Sequence, residues 1–148
     1  AYYPPCLLDL DLIDFSSAPI HILIGELDDW VTASACEDLV SDLASEGANI
    51  DITIYENAHH GFDRKGPLRV EKEGYATGNC HFRMRPDGAL LMNFLNIPMI
   101  TPLRQKLALA WCADRGTTIG GDPSSREASF TFAKRFMINN LFDRNVIE

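Results

Sequence analysis

The chain passes most abruptly from apolar to polar residues in two short stretches. Residues 20–31 read IHILIGELDDWV, and residues 52–63 read ITIYENAHHGFD. Each stretch is an apolar run of strand length that ends in polar loop residues. The strand of the second stretch begins at Ile50, where isoleucines alternate with Asp51, Thr53 and Tyr55, which is typical of a strand with two unlike faces.

The residues between these strands predict a helix over 32–47. Thr32 or Ser34 can cap it, Ser34 with Glu37 fits a capping box, and Gly47 is a natural stop. Its apolar face is formed by Cys36, Leu39, Val40 and Leu43. Strand, helix and strand with short connections predict a right-handed, parallel βαβ unit.

The rest of the chain is less regular. Residues 1–5 are turn-like, and residues 6–17, which carry Asp9, Asp11 and Asp14, indicate the exit from a strand that begins at or before Ala1, followed by a loop. Glycines make residues 64–88 loop-rich, and residues 89–95 favour a short strand or a helical turn.

Two further helices are predicted nearer the end of the chain. Residues 102–115 place Leu103, Leu107 and Trp111 at helical spacing, and residues 116–122 follow as a loop. Residues 123–142 predict a long core helix that starts at a proline. Its expected apolar stripe is Phe130, Ala133, Met137 and Leu141, with Phe132 and Phe136 beside it.

Composition narrows the class of protein. The 148 residues are 46% hydrophobic and 23% charged, which is typical of a globular domain with a core. The net charge of -8 argues against nucleic acid or an anionic membrane surface as a partner. No apolar run approaches the ~20 residues that a membrane helix requires.

Four cysteines stand at positions 6, 36, 80 and 112 without CxxC spacing. We interpret each as a small buried apolar residue, which favours a reduced protein with a cytoplasmic location. A zinc site at Cys80 and His81 with His59 and His60 is disfavoured, because adjacent residues rarely both reach one tetrahedral ion. The sequence therefore predicts no metal and no cofactor.

The polar ends of the two strands carry the candidate chemistry. The order strand, Asp, helix, strand, His is that of the second half of a Ser-His-Asp or Cys-His-Asp hydrolase. Asp28, with Asp29 as the fallback, is the candidate acid, and His60 is the candidate base. A carboxylate bonded to one ring nitrogen holds a histidine in a single tautomer and stabilises the imidazolium. His59 is interpreted as a packing neighbour.

The strings GELDDWV, beginning at Gly25, and YENAHHGFDR, beginning at Tyr55, resemble the dienelactone hydrolase family of α/β-hydrolases. The resemblance implies an α/β fold with a mainly parallel sheet flanked by helices. Residues 1–148 would then be a single domain or fragment, the C-terminal half of that fold. It implies Asp28 and His60 as catalytic acid and base. It also implies an upstream Cys or Ser nucleophile and, at Arg64, a contact to a substrate carboxylate.

No Gly-x-Ser-x-Gly or Gly-x-Cys-x-Gly pattern occurs in the chain. The leading hypothesis is a hydrolase of a small-molecule ester or lactone, with Arg64 and Trp30 lining the substrate site. This chain alone is expected to be inactive. The alternative is a non-catalytic interaction module derived from a hydrolase half. Under both, we expect self-association, or an N-terminal half supplied by the full-length protein, because half a sheet leaves backbone groups uncovered.

Overall fold

The fold was examined in a computed structural model that describes residues 1–10, 15–92 and 95–142. These residues form a mixed α/β arrangement. The strands are β1 (Leu8–Leu10), β2 (Ile20–Gly25), β3 (Ile50–Tyr55), β4 (Arg69–Ala76), β5 (Phe82–Met84), β6 (Leu90–Met92) and β7 (Asp114–Ile119). The helices are α1 (Ala33–Ser45), α2 (Pro102–Cys112) and α3 (Pro123–Leu141). Within these ranges no helix is long and apolar enough to cross a membrane.

The βαβ unit predicted from the sequence is confirmed. Strands β2 and β3 pair in parallel, and α1 connects them. Thr32, not Ser34, is the N-cap of α1, so the helix does not begin with the Ser34–Glu37 capping box. Gly47 ends the helix at φ +95°, a conformation in which its N–H donates to the carbonyl of Ala44 at 3.0 Å.

The first three residues lie alongside β2. Tyr2 forms a parallel bridge with Leu23, and the N–H of Tyr3 donates to the carbonyl of Leu23 at 2.8 Å. A strand beginning at or before Ala1 was expected, but its exit was predicted within residues 6–17, and residues 1–5 were predicted to be turn-like. The parallel order is therefore residues 1–3, then β2, then β3.

A single, mainly parallel sheet is not what the described residues form. Strand β1 pairs in parallel with β5, but β6 pairs with β5 and β7 pairs with β4 in antiparallel orientation, and the sheets are small and separate. The predicted loops at 64–88 and 116–122 contain β4, β5 and part of β7. Most side chains of β4 are exposed or half-buried, so no alternation of apolar residues marks it in the sequence.

Two predicted segments extend beyond the described residues. Strand β1 forms within 6–17, where the exit from an earlier strand followed by a loop was expected, and residues 11–14, including Asp11 and Asp14, lie outside the described residues. The strand alternative for 89–95 is confirmed by β6, and residues 93–94 likewise lie outside it.

The core lies on both sides of β2. The larger cluster packs α1 against Ile22 and Ile24 and extends to Phe82 and Met92 on the sheet of β5 and β6. A smaller cluster of Leu23, Ala58 and Phe62 lies on the opposite side of β2, since neighbouring side chains of a strand point to opposite faces. Tyr2, Tyr3, Tyr55 and Phe132 pack around that smaller cluster.

The expectation of unpaired cysteines is wrong. Cys6 is bonded to Cys36, and Cys80 is bonded to Cys112. The Cα atoms of the two pairs are 4.9 and 5.0 Å apart, within the range that a disulfide requires. Cys36 and Cys80 are buried in the core, as the sequence predicts. The bonded cysteines are 30 and 32 residues apart in the sequence, and such spacings do not indicate a pairing.

Helices α2 and α3 have nearly the predicted bounds, but their apolar faces are not where the periodicity places them. On α2, Leu103, Leu107 and Trp111 are 68%, 57% and 72% exposed. On α3 the buried residues are Ser125 and Ser129. The interpretation of α3 as a core helix with an apolar stripe is therefore wrong: Phe130, Met137 and Leu141 are exposed, whereas Phe132, Ala133 and Phe136 are half-buried.

Candidate active site

The carboxylate of Asp28 and the imidazole of His60 meet where the neighbouring parallel strands β2 and β3 end. Oδ2 of Asp28 lies 2.9 Å from Nδ1 of His60. Oδ1 of Asp28 accepts the N–H groups of Trp30 and Val31, each at 2.9 Å. The residue is only 3% exposed, so the buried carboxylate has hydrogen-bond partners on both oxygens.

This geometry fixes the tautomer of the imidazole. A carboxylate only accepts hydrogen bonds, so Nδ1 of His60 donates to Asp28. Nε2 is then the ring nitrogen that can take up a proton and release it later. The side chain of His60 is 16% exposed, against 0% for that of Asp28, so the imidazole is the member of the pair that solvent can reach.

Gly25 allows the acid loop and the histidine loop to approach each other. A Cβ atom at this position would lie 2.3 Å from the carbonyl oxygen of Ala58. The N–H of Leu27 donates to that same oxygen at 2.9 Å. The glycine that ends the first apolar stretch is therefore required by close packing of backbone against backbone.

The conformation of the histidine loop also depends on a glycine within the loop and on a hydrogen bond from the end of β7. Gly61 follows His60 at φ +74°, in the left-handed region that favours glycine. The carbonyl of His60 accepts the N–H of Gly120 at 3.1 Å, just beyond the end of β7. Strand β7, which was predicted as a loop, thus supports the backbone of the candidate base.

Asp29 has a different partner from Asp28. Its carboxylate accepts the N–H of Thr118 at 2.8 and 3.1 Å and the hydroxyl of Thr118 at 2.9 Å. The choice of Asp28 over Asp29 as the partner of His60 therefore agrees with the geometry, because the side chain of Asp29 is engaged with β7.

Two aromatic rings contact the imidazole of His60. The ring centroid of Tyr3 lies 4.3 Å away, and that of Trp30 lies 4.6 Å away. Trp30, a sequence candidate for substrate contact, is half-buried beside the imidazole. Burial raises the pKa of the Tyr3 phenol to about 12, and the hydrogen bond to the carboxylate of Asp63 acts in the same direction.

Arg64, the other predicted substrate contact, lies at the surface in a different setting. It lines a cavity of about 540 Å³ together with Lys65 and Arg126, and Glu127 and Phe130 contribute to the same wall. The cavity is rich in positive charge, so it can attract an anionic group. His59 is half-buried next to His60, and its Nδ1 has no hydrogen-bond partner among the described residues.

The family of the protein follows from comparison with family models. The model of the dienelactone hydrolase family matches residues 1–80, which is more than half of the 148 residues. The chain belongs to the dienelactone hydrolase family. The resemblance seen in GELDDWV and YENAHHGFDR is thereby confirmed. Comparisons with curated proteins and with solved structures gave no significant match.

The match to the dienelactone hydrolase family covers part of the site. It contains Tyr3, Asp28 and His60, whereas Thr118 of β7 and Arg126 of α3 lie beyond residue 80. Sequence reasoning missed Tyr3, Asp63 and Thr118. A sequence signal was present only for Tyr3, because a strand was expected to begin at or before Ala1, and neighbouring parallel strands end on the same side of a sheet, where Asp28 and His60 lie.

Proposed function

We propose that the protein is a hydrolase of ester or lactone bonds in which His60 moves protons and Asp28 orients His60. The observation that carries the proposal is the 2.9 Å contact between Asp28 Oδ2 and His60 Nδ1 at the ends of two neighbouring parallel strands. Membership of a hydrolase family supports the reaction class.

The proposed reaction has two halves. In the first, Nε2 of His60 takes the proton of a serine or cysteine nucleophile as it attacks the substrate carbonyl, and His60 then donates that proton to the leaving oxygen. In the second, water attacks the acyl-enzyme while His60 accepts its proton, the bond to the nucleophile breaks, the acid is released, and His60 returns the proton to the serine or cysteine. Asp28 stays ionised throughout and stabilises the imidazolium that forms in both halves.

The nucleophile is proposed to come from polypeptide other than these 148 residues. Cys6, Cys36, Cys80 and Cys112 are all in disulfides, so none of them offers a thiolate. The serines lack the Gly-x-Ser-x-Gly surround of a nucleophile elbow. The 148 residues alone are accordingly proposed to be inactive, and an N-terminal half in the same protein is the proposed source.

The proposed substrate is a small ester or lactone that carries a negative charge. Arg64 follows His60 by four residues, and Lys65 and Arg126 add positive charge to the cavity that Arg64 lines. A planar guanidinium can bind a carboxylate through two parallel hydrogen bonds. Trp30, which contacts His60, is proposed to line the apolar side of the substrate site.

The experiment compares ester hydrolysis by the nucleophile-containing protein with that of its Asp28→Asn and His60→Gln variants. We expect kcat to fall by roughly 10⁴-fold in Asp28→Asn and by roughly 10⁶-fold in His60→Gln, the losses typical of removing the acid and the base of such a unit. The matched control is His59→Gln, which changes the adjacent histidine and should keep kcat. Equal activity of His60→Gln and His59→Gln would refute the assignment.

The substrate class has a separate test. Arg64→Gln should raise KM for an ester with a free carboxylate and leave KM for its neutral methyl ester nearly unchanged. A guanidinium-to-carboxylate contact supports a difference of roughly ten- to a hundredfold between the two substrates. An equal change in KM for both esters would show that Arg64 does not bind the negative charge of the substrate.

A second candidate function is that of an interaction module. The exposed leucines of α2, Leu103 and Leu107, favour it together with Leu95 and Ile100, which are 75% and 69% exposed. Leu103 and Leu107 lie one turn apart on α2 and so share a face, and an exposed apolar face favours contact with another protein surface. Size-exclusion chromatography of the 148-residue chain at micromolar concentration tests this idea in its simplest form, self-association, and a clean monomer would contradict it.

The disulfides remove the reason for predicting a cytoplasmic location. That prediction depended on unpaired thiols, whereas disulfides persist mainly in oxidising compartments. Localisation of the protein in its source cells is the direct measurement.

A further inference from the structure

Tyr3 is bound to the histidine loop at two points. Its ring lies 4.3 Å from the ring of His60, at an interplanar angle of 51°. Its hydroxyl donates to Oδ1 of Asp63 at 2.8 Å, three residues after the histidine. Ring and hydroxyl of one side chain thus contact both ends of the segment from His60 to Asp63.

The backbone of Tyr3 is in an uncommon conformation. Its φ is +33°, in the left-handed region that aromatic residues rarely adopt. The N–H of Tyr3 donates to the carbonyl of Leu23 on β2 at 2.8 Å, which holds the turn in place. Backbone strain of this kind persists where the surroundings enforce it, and it is concentrated at functional sites.

Asp63 is itself fixed by the last helix. Its carbonyl oxygen accepts Nε of Arg126 at 2.9 Å, and Arg126 lies one turn into α3. The chain of contacts therefore runs from α3 through Asp63 to the hydroxyl of Tyr3, and through the ring of Tyr3 to His60. No member of this chain other than His60 takes part in the proposed proton transfer.

From this arrangement we propose that Tyr3 is a positioning residue that holds the imidazole of His60 against Asp28, with the Tyr3–Asp63 hydrogen bond fixing its ring. The inference rests on the proposed function of His60. The hydrogen bond at Nδ1 holds one edge of the imidazole, and the rings of Tyr3 and Trp30, 4.3 and 4.6 Å away, restrict its movement out of that contact. The ring of Tyr3 is itself held to the histidine loop through the hydrogen bond to Asp63.

The test follows the Nδ1 proton of His60 by NMR in the nucleophile-containing, full-length protein. Its rate of exchange with water reports how often the Asp28 contact opens. We expect Tyr3→Leu to raise this rate by roughly two- to twelvefold, the range that the usual strength of an aromatic contact implies. Backbone amides of β2 and β3 provide the reference, because general destabilisation would raise their exchange by the same factor.

Tyr55→Leu is the matched control, because the ring of Tyr55 packs against Phe62, as that of Tyr3 does. It should leave the ratio of Nδ1 exchange to amide exchange unchanged. The proposal is overturned if Tyr3→Leu also leaves that ratio unchanged, or if Tyr55→Leu raises it equally.

A second set of variants applies even if Tyr3→Leu does not fold. Tyr3→Phe keeps the ring but lacks the hydroxyl, and Asp63→Ala lacks the acceptor. If the hydrogen bond fixes the ring, each raises the exchange of the Nδ1 proton, and the double variant raises it no further. Unchanged exchange in both single variants overturns the proposal. None of these measurements needs a substrate, so failure to hydrolyse esters would reject the proposed function without affecting this result.

Discussion

The carboxylate of Asp29 accepts both the N–H and the hydroxyl of Thr118, across a separation of 89 residues. Its neighbour Asp28 instead faces His60. Consecutive acidic residues in one loop thus have separate tasks, since one bonds to the candidate base and the other attaches the acid loop to β7. Strand β7 also binds the histidine loop, through the parallel bridge between His60 and Ile119. The two site loops are therefore attached to the same strand.

The contact between Asp29 and Thr118 should contribute to stability. Asp29→Ala removes the acceptor and leaves the N–H of Thr118 without its carboxylate partner. We expect the free energy of unfolding to fall by about 1.5–3 kcal/mol, the range for hydrogen bonds to a charged group. Urea denaturation followed by circular dichroism measures it. Thr118→Ser, which keeps the hydroxyl, is the control, and a loss as large as that of Asp29→Ala would contradict this account.

Alkaline pH should weaken the fold through Tyr3. Its pKa is raised from 10.0 to about 12, chiefly because burial penalises the phenolate and also because the phenol donates to Asp63. The protonated phenol therefore stabilises the folded state fully below pH 10, and this contribution is lost as the pH rises from 10 to about 12.

Tyr3→Phe should make the free energy of unfolding less dependent on pH over that interval. Urea denaturation at several pH values between 10 and 12 would show a shallower fall than in the unchanged protein. Burial also raises the pKa of Tyr55, so part of the dependence should remain, and only the double variant with Tyr55→Phe should remove most of it. An unchanged slope in Tyr3→Phe would show that the phenol does not contribute.

Acid should weaken the fold through His21 on β2. Burial lowers the pKa of His21 from 6.5, with an opposing effect from Asp51. Its Nε2 lies 2.8 Å from the hydroxyl of Thr53, and its ring packs against Phe132 of α3. Because the neutral imidazole is favoured in the folded state, its contribution is full above pH 6.5 and is lost as the pH falls below that value.

His21→Leu should therefore reduce the loss of stability between neutral pH and about pH 5, because a histidine becomes charged below its ordinary pKa. The measurement is the midpoint of urea denaturation at the two pH values. His81→Leu serves as the control, because His81 is exposed. If the two substitutions alter the pH dependence equally, the loss does not come from burial of His21.

The sequence predicted those features that depend on short stretches of chain. The parallel βαβ unit and the pair Asp28 and His60 follow from strands, a helix and loops that are close in sequence. Strand β7 was missed because its partner β4 lies some forty residues earlier, and neither strand has an apolar face that would mark it. Long-range pairing of this kind leaves little trace in local periodicity.

The helices show a different limit of sequence patterns. Periodicity predicted α2 and α3 nearly at their bounds, because helical spacing of apolar residues is a local property. It assigned the wrong face of α3, since contacts to His21 and Asp63 decide that the side with Phe132, Phe136 and Arg126 packs inward. Those partners are far away in the sequence, so the stripe of Phe130, Met137 and Leu141 was misleading.

The disulfides should contribute more to stability than any single hydrogen bond of the site. Cys6–Cys36 joins the segment after Tyr3 to α1, and Cys80–Cys112 joins the start of the β5 region to the end of α2. With separations of 30 and 32 residues, each should raise the free energy of unfolding by about 3–4 kcal/mol through loss of chain entropy in the unfolded state.

The two bonds can be separated by paired substitution. Replacing Cys6 and Cys36 by serine should loosen the segment that carries Tyr3, whereas replacing Cys80 and Cys112 should leave it in place. Urea denaturation of the two double variants measures the stability of each, and alkylation of the protein after denaturation without reductant tests whether the bonds exist. Four alkylated cysteines would contradict both disulfides and restore the premise of a reducing compartment. Protection of all four would support an oxidising compartment, because cytosolic thiols are kept reduced.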